Sequence, residues 1–227
     1  MDLELQEVAQ LLNVSDAQIL KLTADGKLPS YNINGSYRFN RQEIEAWVIG
    51  HKQLPEGHTQ EDDHENHQRN GLLRYNLFRA LNNGEVLADI EASNKEAVIR
   101  TTMKKIAPSL RLDAEVLTEI FMDRENVVPT AVGNGFAIPH ARDFLIEGHR
   151  DMVTVVYLAE PIAYGALDGL DVHTLFFLMA SDDRKHLALL SKIAHLMSTP
   201  SMVQTLKRRP QKQELLDIVK AWETTLL

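Results

Sequence analysis

The chain has 227 residues, of which 44% are hydrophobic and 25% charged, so it can hold one large domain or two modest ones. Its formal net charge of -8 argues against broad, charge-driven nucleic-acid binding, and any DNA contact has to be local. No apolar run approaches the roughly 18 residues of a membrane span, the acidic N-terminus is no signal peptide, and the lack of cysteine excludes disulfides and thiolate chemistry, as fits a cytoplasmic protein.

Three short helices and a hairpin are predicted in the first fifty residues. Val8, Leu11 and Leu12 form one apolar face of the first helix. Ser15 followed by Gln18 makes a capping-box start for the second, whose apolar face is Ile19, Leu20 and Leu22. "DGKLP" ends it. Residues 30–39 alternate around "NING" as a small hairpin does, and Asn40 and Glu43 cap a third helix carrying Ile44, Trp47 and Val48 inward.

The stretches "EVAQLLNVS", "GKLP", "NGSYRFN" and "IEAW" resemble the winged helix-turn-helix of the excisionase/MerR-like family across nearly all of residues 3–49. The resemblance implies that the helix beginning near Asp16 enters a DNA major groove while the hairpin touches the phosphate backbone. Gln18, Lys21 and Arg38 are then the DNA-contacting residues. The sequence departs from the family where Asp16, Ala24 and Asn32 replace the usual basic residues. Residues 1–50 carry four Lys/Arg against seven Asp/Glu, a net of -3. A protein-docking or dimerisation module on the same fold is the competing reading, because each lost phosphate contact weakens DNA binding.

Between residues 51 and 71 the apolar periodicity disappears. "HKQLPEGHTQEDDHENHQRNG" is too polar to offset the entropy of ordering, and reads as a tether spanning about 25 Å as a coil. Four of the nine histidines lie here, including His64 and His67, but nothing signals a helix or hairpin to converge them on a metal.

Residues 72–227 alternate helices and strands, which argues for an α/β layered domain. "NGEVLADI" reads as a strand. Ser93 and Glu96 open a helix with Val98, Ile99 and Met103 on one face; Asp113 starts another, with Val116, Leu117, Ile120 and Phe121, ending near Arg124. "MVTVVYLA" and "VHTLFFLMA" are short apolar runs suited to a sheet covered on both faces. "RKHLALLSKIAHLM" and "KQELLDIVKAWETTL" are helices.

Between them lies "TAVGNGFAIPHAR". Gly133 and Gly135 let the backbone take angles closed to other residues, and peptide N–H groups there could hold an anion. Pro139 fixes the backbone before His140, which suits a histidine at a surface edge with one ring nitrogen outward. Such an imidazole is nucleophilic near neutral pH, and a phosphoryl group on it needs N–H donors or an arginine. A structural hydrogen-bonding histidine after a turn is the plainer alternative.

"REN", "TAVGNGFAIPHAR", "LDGLDV", "LFFLMA" and "HLALLSKIAHL" occur in the order and spacing of enzyme IIA domains of the bacterial phosphoenolpyruvate-dependent sugar phosphotransferase system, of the fructose/mannitol/nitrogen-regulatory type. This resemblance covers essentially residues 72–227. It implies a mixed sheet flanked by helices, with His140 as the phosphorylated residue and Arg124 and His186 beside it. Arg124 could otherwise form a surface ion pair, and His186 could face water at a helix start. Thr130 matches the family's threonine and either shapes the phosphate loop with Gly133, Asn134 and Gly135 or simply makes a turn; Pro129 and Ala131 depart from the usual flanks. Phe136 and Ile138 fit either a small apolar docking surface or the core. His149, His173 and His195 read as surface or packing residues.

The expected function is a phosphohistidine carrier that receives its phosphoryl group from the histidine-containing phosphocarrier protein. Its downstream partner is an enzyme IIB or a regulatory target, double-stranded DNA is a possible ligand, and no metal, cofactor or membrane is involved. No enzyme IIB or transport module follows in the chain, which favours nitrogen-regulatory-type signalling over sugar uptake. The alternative is a DNA-binding regulator whose second domain binds partners and carries no phosphate. A metal-dependent hydrolase finds no compact His/Asp/Glu set in the pattern.

Overall fold

The computed structural model describes residues 2–12, 14–50, 76–141 and 150–226. The tether read over 51–71, together with Arg142 and His149, lies outside the described residues.

The N-terminal part is built from β1 (Asp2–Glu4), α1 (Leu5–Leu12), α2 (Asp16–Ala24), β2 (Tyr31–Ile33), β3 (Ser36–Asn40) and α3 (Arg41–Gly50). The capping box forms as read: Gln18 N–H donates to Ser15 Oγ, and Ser15 N–H donates back to Gln18 Oε1 at 2.9 Å. The "NING" hairpin closes through Asn34 and Gly35 at positive φ. Its β3 strand is central, because β1 also pairs with it, Leu3 opposite Phe39. Asn40 caps α3, accepting from the Gln42 and Glu43 N–H groups at 2.9 and 3.4 Å, while the Glu43 carboxylate accepts from the Tyr31 hydroxyl. Val8, Leu11, Leu12, Ile19, Ile44, Trp47 and Val48 are buried together. Leu20 is not part of that face. It is 44% exposed, because one residue beyond Ile19 the helix has turned about 100° from α1 and α3.

The C-terminal part contains α4 (Asn76–Asn83), β4 (Val86–Ile90), α5 (Lys95–Leu110), α6 (Ala114–Val127), β5 (Ala131–Gly133), β6 (Phe136–Ala137), β7 (Met152–Ile162), β8 (Val172–Met179), α7 (Asp183–Ser198), α8 (Pro200–Lys207) and α9 (Lys212–Thr225). The strands form one mixed sheet in the order β4-β7-β8-β6-β5. β7 lies antiparallel to β8, whereas β4–β7 and β6–β8 are parallel.

Both faces of the sheet are buried, as the continuous apolar runs required. Alternation sorts them: Val153, Val155, Tyr157, Phe176 and Leu178 pack toward α4, α7, α8 and α9. Val156, Leu158, Leu175, Phe177 and Met179 pack toward α5 and α6. The N-terminal apolar cluster belongs to the first of these layers, because α1 and α3 pack on α7.

Local details differ from the sequence reading. Asn94, not Ser93, caps α5 by accepting from Ala97 N–H at 2.9 Å; asparagine serves that role as well as serine. Asp113 caps α6 as expected, but Val116 lies on its solvent face, 52% exposed. Pro200 at the start of α8 begins a helix that the pattern did not single out.

The start of α4 depends on a residue far along the chain. The Glu223 carboxylate of α9 is buried, accepts from the Leu77 and Phe78 N–H groups at 3.2 and 2.9 Å, and pairs with Lys192 Nζ at 2.6 Å. Removing the carboxylate leaves a half-buried ammonium without this partner and two orphaned helix N–H groups. Glu223→Ala is expected to lower the unfolding free energy by about 3 kcal/mol in urea titrations.

Candidate active site

His140 continues the line of β6. It forms an isolated parallel bridge with Leu178 of β8, and Leu178 N–H donates to the Pro139 carbonyl at 2.9 Å. Its ring is oriented by a second carbonyl: Nδ1 lies 2.7 Å from Ile138 O. A carbonyl only accepts, so Nδ1 carries the proton and Nε2 keeps its lone pair.

Arg124, in the last turn of α6, is buried beside that nitrogen. Its Nε–H donates to His140 Nε2 at 3.0 Å and its Nη1–H to the Val128 carbonyl at 3.0 Å. His186, early in α7, stacks edge-on with ring centroids 5.1 Å apart. Its Nε2 is buried and makes no hydrogen bond among the described residues.

The fourth member comes from the other end of the chain. Glu45 of α3 places Oε2 4.0 Å from His140 Nε2 and Oε1 3.7 Å from His186 Nε2. Arg41, one turn earlier, donates Nε–H to Glu45 Oε1 at 3.0 Å and also pairs with Asp183 at the start of α7.

Burial sets the charge state of both histidines. Desolvation, with help from the His186 ring and the Arg124 and Arg41 guanidiniums, holds His140 well below the ordinary histidine pKa; the Ile138 carbonyl opposes this. Burial, Arg41 and Arg124 push His186 down to about 3. Both rings are neutral at pH 7.

The structure brings together His140, Arg124 and His186 but corrects their setting. His140 is not at an exposed edge: it is 1% exposed, covered in part by α3. Gly133, Asn134 and Gly135 do not surround it. They form the β5–β6 hairpin, all at positive φ, at the other end of the strand line, about 13 Å away for four residues of strand. Asn134 N–H there donates to Asp168 at 2.7 Å, and the Gly135 carbonyl accepts from His173 N–H at 2.9 Å. A Cβ on Gly135 would lie 2.5 Å from the His173 ring, so close packing explains this glycine.

Thr130 is fully buried and holds Glu125, through Oγ1 at 2.6 Å and its N–H at 3.1 Å, rather than facing His140. Phe136 and Ile138 are core residues, not a docking surface. His173 packs edge-on against Phe136 and His195 against Trp222. On the helix-turn-helix, Lys21 is exposed on α2, Gln18 is committed to its capping box, and Arg38 pairs with Glu4.

Glu45 and Arg41 escaped the sequence reading. The available signal was an Arg-Glu pair at i,i+4 with Glu45 between the inward-facing Ile44 and Val48. With His140 and His186, Glu45 makes a compact set, one ligand atom from each within 4.8 Å of the others, which the pattern did not announce. Two guanidinium groups share the pocket, and they favour an anion over a dication.

Comparison with known proteins places this fold in a class. Residues 79–222 match the family described as the phosphoenolpyruvate-dependent sugar phosphotransferase system, EIIA 2, and residues 3–51 match a helix-turn-helix domain family. The chain belongs to the EIIA 2 family, a component of a phosphotransferase relay, with a helix-turn-helix domain ahead of it. Among its relatives is the nitrogen regulatory protein of Pseudomonas aeruginosa, 31% identical over 147 residues that make up 63% of this chain and 94% of the relative. The nitrogen regulatory protein of Escherichia coli is 30% identical over 152 residues, 66% of this chain and 92% of the relative. The crystal structure of Nitrogen Regulatory Protein IIA-Ntr from Neisseria meningitidis, 24% identical, superposes with a TM-score of 0.54 over 63% of this chain and 93% of that one, which supports the fold.

The two neutral histidines make stability depend on pH. Their folded pKa values lie below the unfolded value near 6.5, so the unfolded chain binds more protons as pH falls. Stability is therefore level above about pH 6.5 and declines from there toward about pH 3, where His186 titrates in the folded protein. Glu45, Arg41 and Arg124 face these rings and remain in both arms of the test. Urea titrations from pH 7 to 4 are expected to show the decline, with a shallower slope for His186→Asn.

Proposed function

We propose that the protein is a cytoplasmic phosphohistidine carrier in which His140 accepts a phosphoryl group from the histidine-containing phosphocarrier protein. The observation that carries this reading is the single available lone pair on His140 Nε2, with Arg124 Nε 3.0 Å away. The Nε2 lone pair attacks phosphorus in line and forms the N–P bond. The donor's N–P bond breaks, and its electron pair returns to the donor imidazole. No metal or nucleotide enters the step; catalysis is positioning plus charge stabilisation. Arg124 Nε–H, now donated to Nε2, passes to a phosphoryl oxygen, and His186 Nε2 supplies a second partner to the anion. The Ile138 carbonyl keeps the Nδ1 proton and so supports the developing charge on the ring.

Relatives that are nitrogen regulatory proteins favour a signalling role, with an enzyme IIB or a regulatory protein as downstream partner. The helix-turn-helix then reads double-stranded DNA through α2, with Lys21 exposed upon it. The runner-up is a phosphate-independent regulator whose α2 and hairpin dock on protein, favoured by the exposed apolar side chains Leu20, Tyr31 and Ile33.

Incubation with phosphoenolpyruvate, enzyme I and the phosphocarrier is expected to put acid-labile phosphate on the wild type. His140→Ala should take none, and Arg124→Ala should label at least 100-fold more slowly, as for loss of an electrostatic donor. Equal labelling of His140→Ala would sink the relay. In gel shifts, Lys21→Ala should weaken binding uniformly across sequences and reduce the salt slope by about 1; salt-insensitive or absent shifts favour the protein-docking reading.

A further inference from the structure

Glu45 has no role in the relay as described, yet its carboxylate sits in the relay's pocket. It is buried, 4.0 Å from the nitrogen that has to attack phosphorus and 3.7 Å from His186 Nε2, which has no hydrogen bond among the described residues. Arg41 donates to it, and Arg124 donates to the same His140 nitrogen that it approaches. These are the partners a phosphoryl group needs, and a carboxylate is the protein's own anion of similar hydrogen-bonding capacity.

We infer that α3 is a built-in cap: the Glu45 carboxylate occupies the place of a phosphoryl group on His140, so docking of the helix-turn-helix and phosphorylation of His140 exclude each other. The inference rests on the relay reading above and names its regulation.

Two consequences follow from the geometry. With α3 in place His140 is 1% exposed, and a donor protein cannot bring phosphorus into line with Nε2. Conversely, a phosphoryl group brings about two negative charges into a pocket that already holds a carboxylate. Like charges within about 4 Å in a desolvated site repel strongly, so the modified histidine expels Glu45.

The contact is built rather than incidental. Val8, Leu11, Leu12, Ile44 and Val48 share one apolar cluster with Leu187 and Leu190 of α7. At its rim Arg41 latches to Asp183. On α2 and the β2–β3 hairpin, Leu20, Lys21, Tyr31 and Ile33 stay exposed. The cap therefore gates access to His140 and leaves the helix-turn-helix's reading face open.

The test uses the full chain, Glu45→Ala, and Asp183→Asn, which loosens the latch without touching the imidazole. Carbethoxylation of His140 by diethyl pyrocarbonate and phosphoryl transfer from the phosphocarrier are timed for each. Acceleration of both reactions by about tenfold or more in either variant supports the cap. Equal rates in all three chains overturn it and leave the relay standing, as does faster carbethoxylation without faster phosphoryl transfer. If none of the chains accepts phosphate, the relay falls and its gate falls with it.

Discussion

The Ile138 carbonyl, 2.7 Å from His140 Nδ1, selects which nitrogen of the ring keeps its lone pair. It takes the Nδ1 proton and leaves the Nε2 lone pair facing Arg124 and His186. The carbonyl is itself held, because Ile138 N–H donates to Thr130 and the Pro139 carbonyl accepts from Leu178. Thr130 in turn is anchored on the buried Glu125. A chain of backbone bonds from α6 to β8 thus sets the tautomer and the aim of one ring, as a nucleophile needs.

Around that nitrogen the protein has built an anion's environment: two guanidiniums and a neutral, buried second histidine whose Nε2 has no hydrogen bond among the described residues. Left open, such a pocket would hold solvent or a stray ion. Here it holds Glu45, delivered by a helix more than ninety residues upstream of His140. In the proposed relay, reactivity and self-occupation share the same residues, because groups that welcome a phosphoryl anion also welcome a carboxylate.

Much of this was legible beforehand. The "GNGFAIPH" stretch and the helix-turn-helix pieces carried the family, and the apolar runs of β7 and β8 carried a doubly covered sheet. Arg124 and His186 were named beside His140, and both are there. The glycines were misread as a phosphate cradle. Positive φ at Gly133 and Gly135 equally makes a hairpin, and the choice depends on which end of the strand that hairpin occupies. The burial of His140 and the presence of Glu45 and Arg41 were not legible, since residue spacing carries no information about contacts between separate parts of a chain.

The sequence by itself determined what is local: capping at Ser15 and Asp113, the alternation of β7 and β8, the proline that leads into His140, and the residue types that the proposed phosphohistidine site requires. Only the tertiary structure decided where the glycine hairpin lies, which ring nitrogen keeps its lone pair, and that α3 covers it. Local preferences come from short-range sterics and hydrogen bonds that near neighbours set. The approach of Glu45 to His140 comes instead from burying the apolar faces of α1 and α3 on α7, which depends on the whole folded shape.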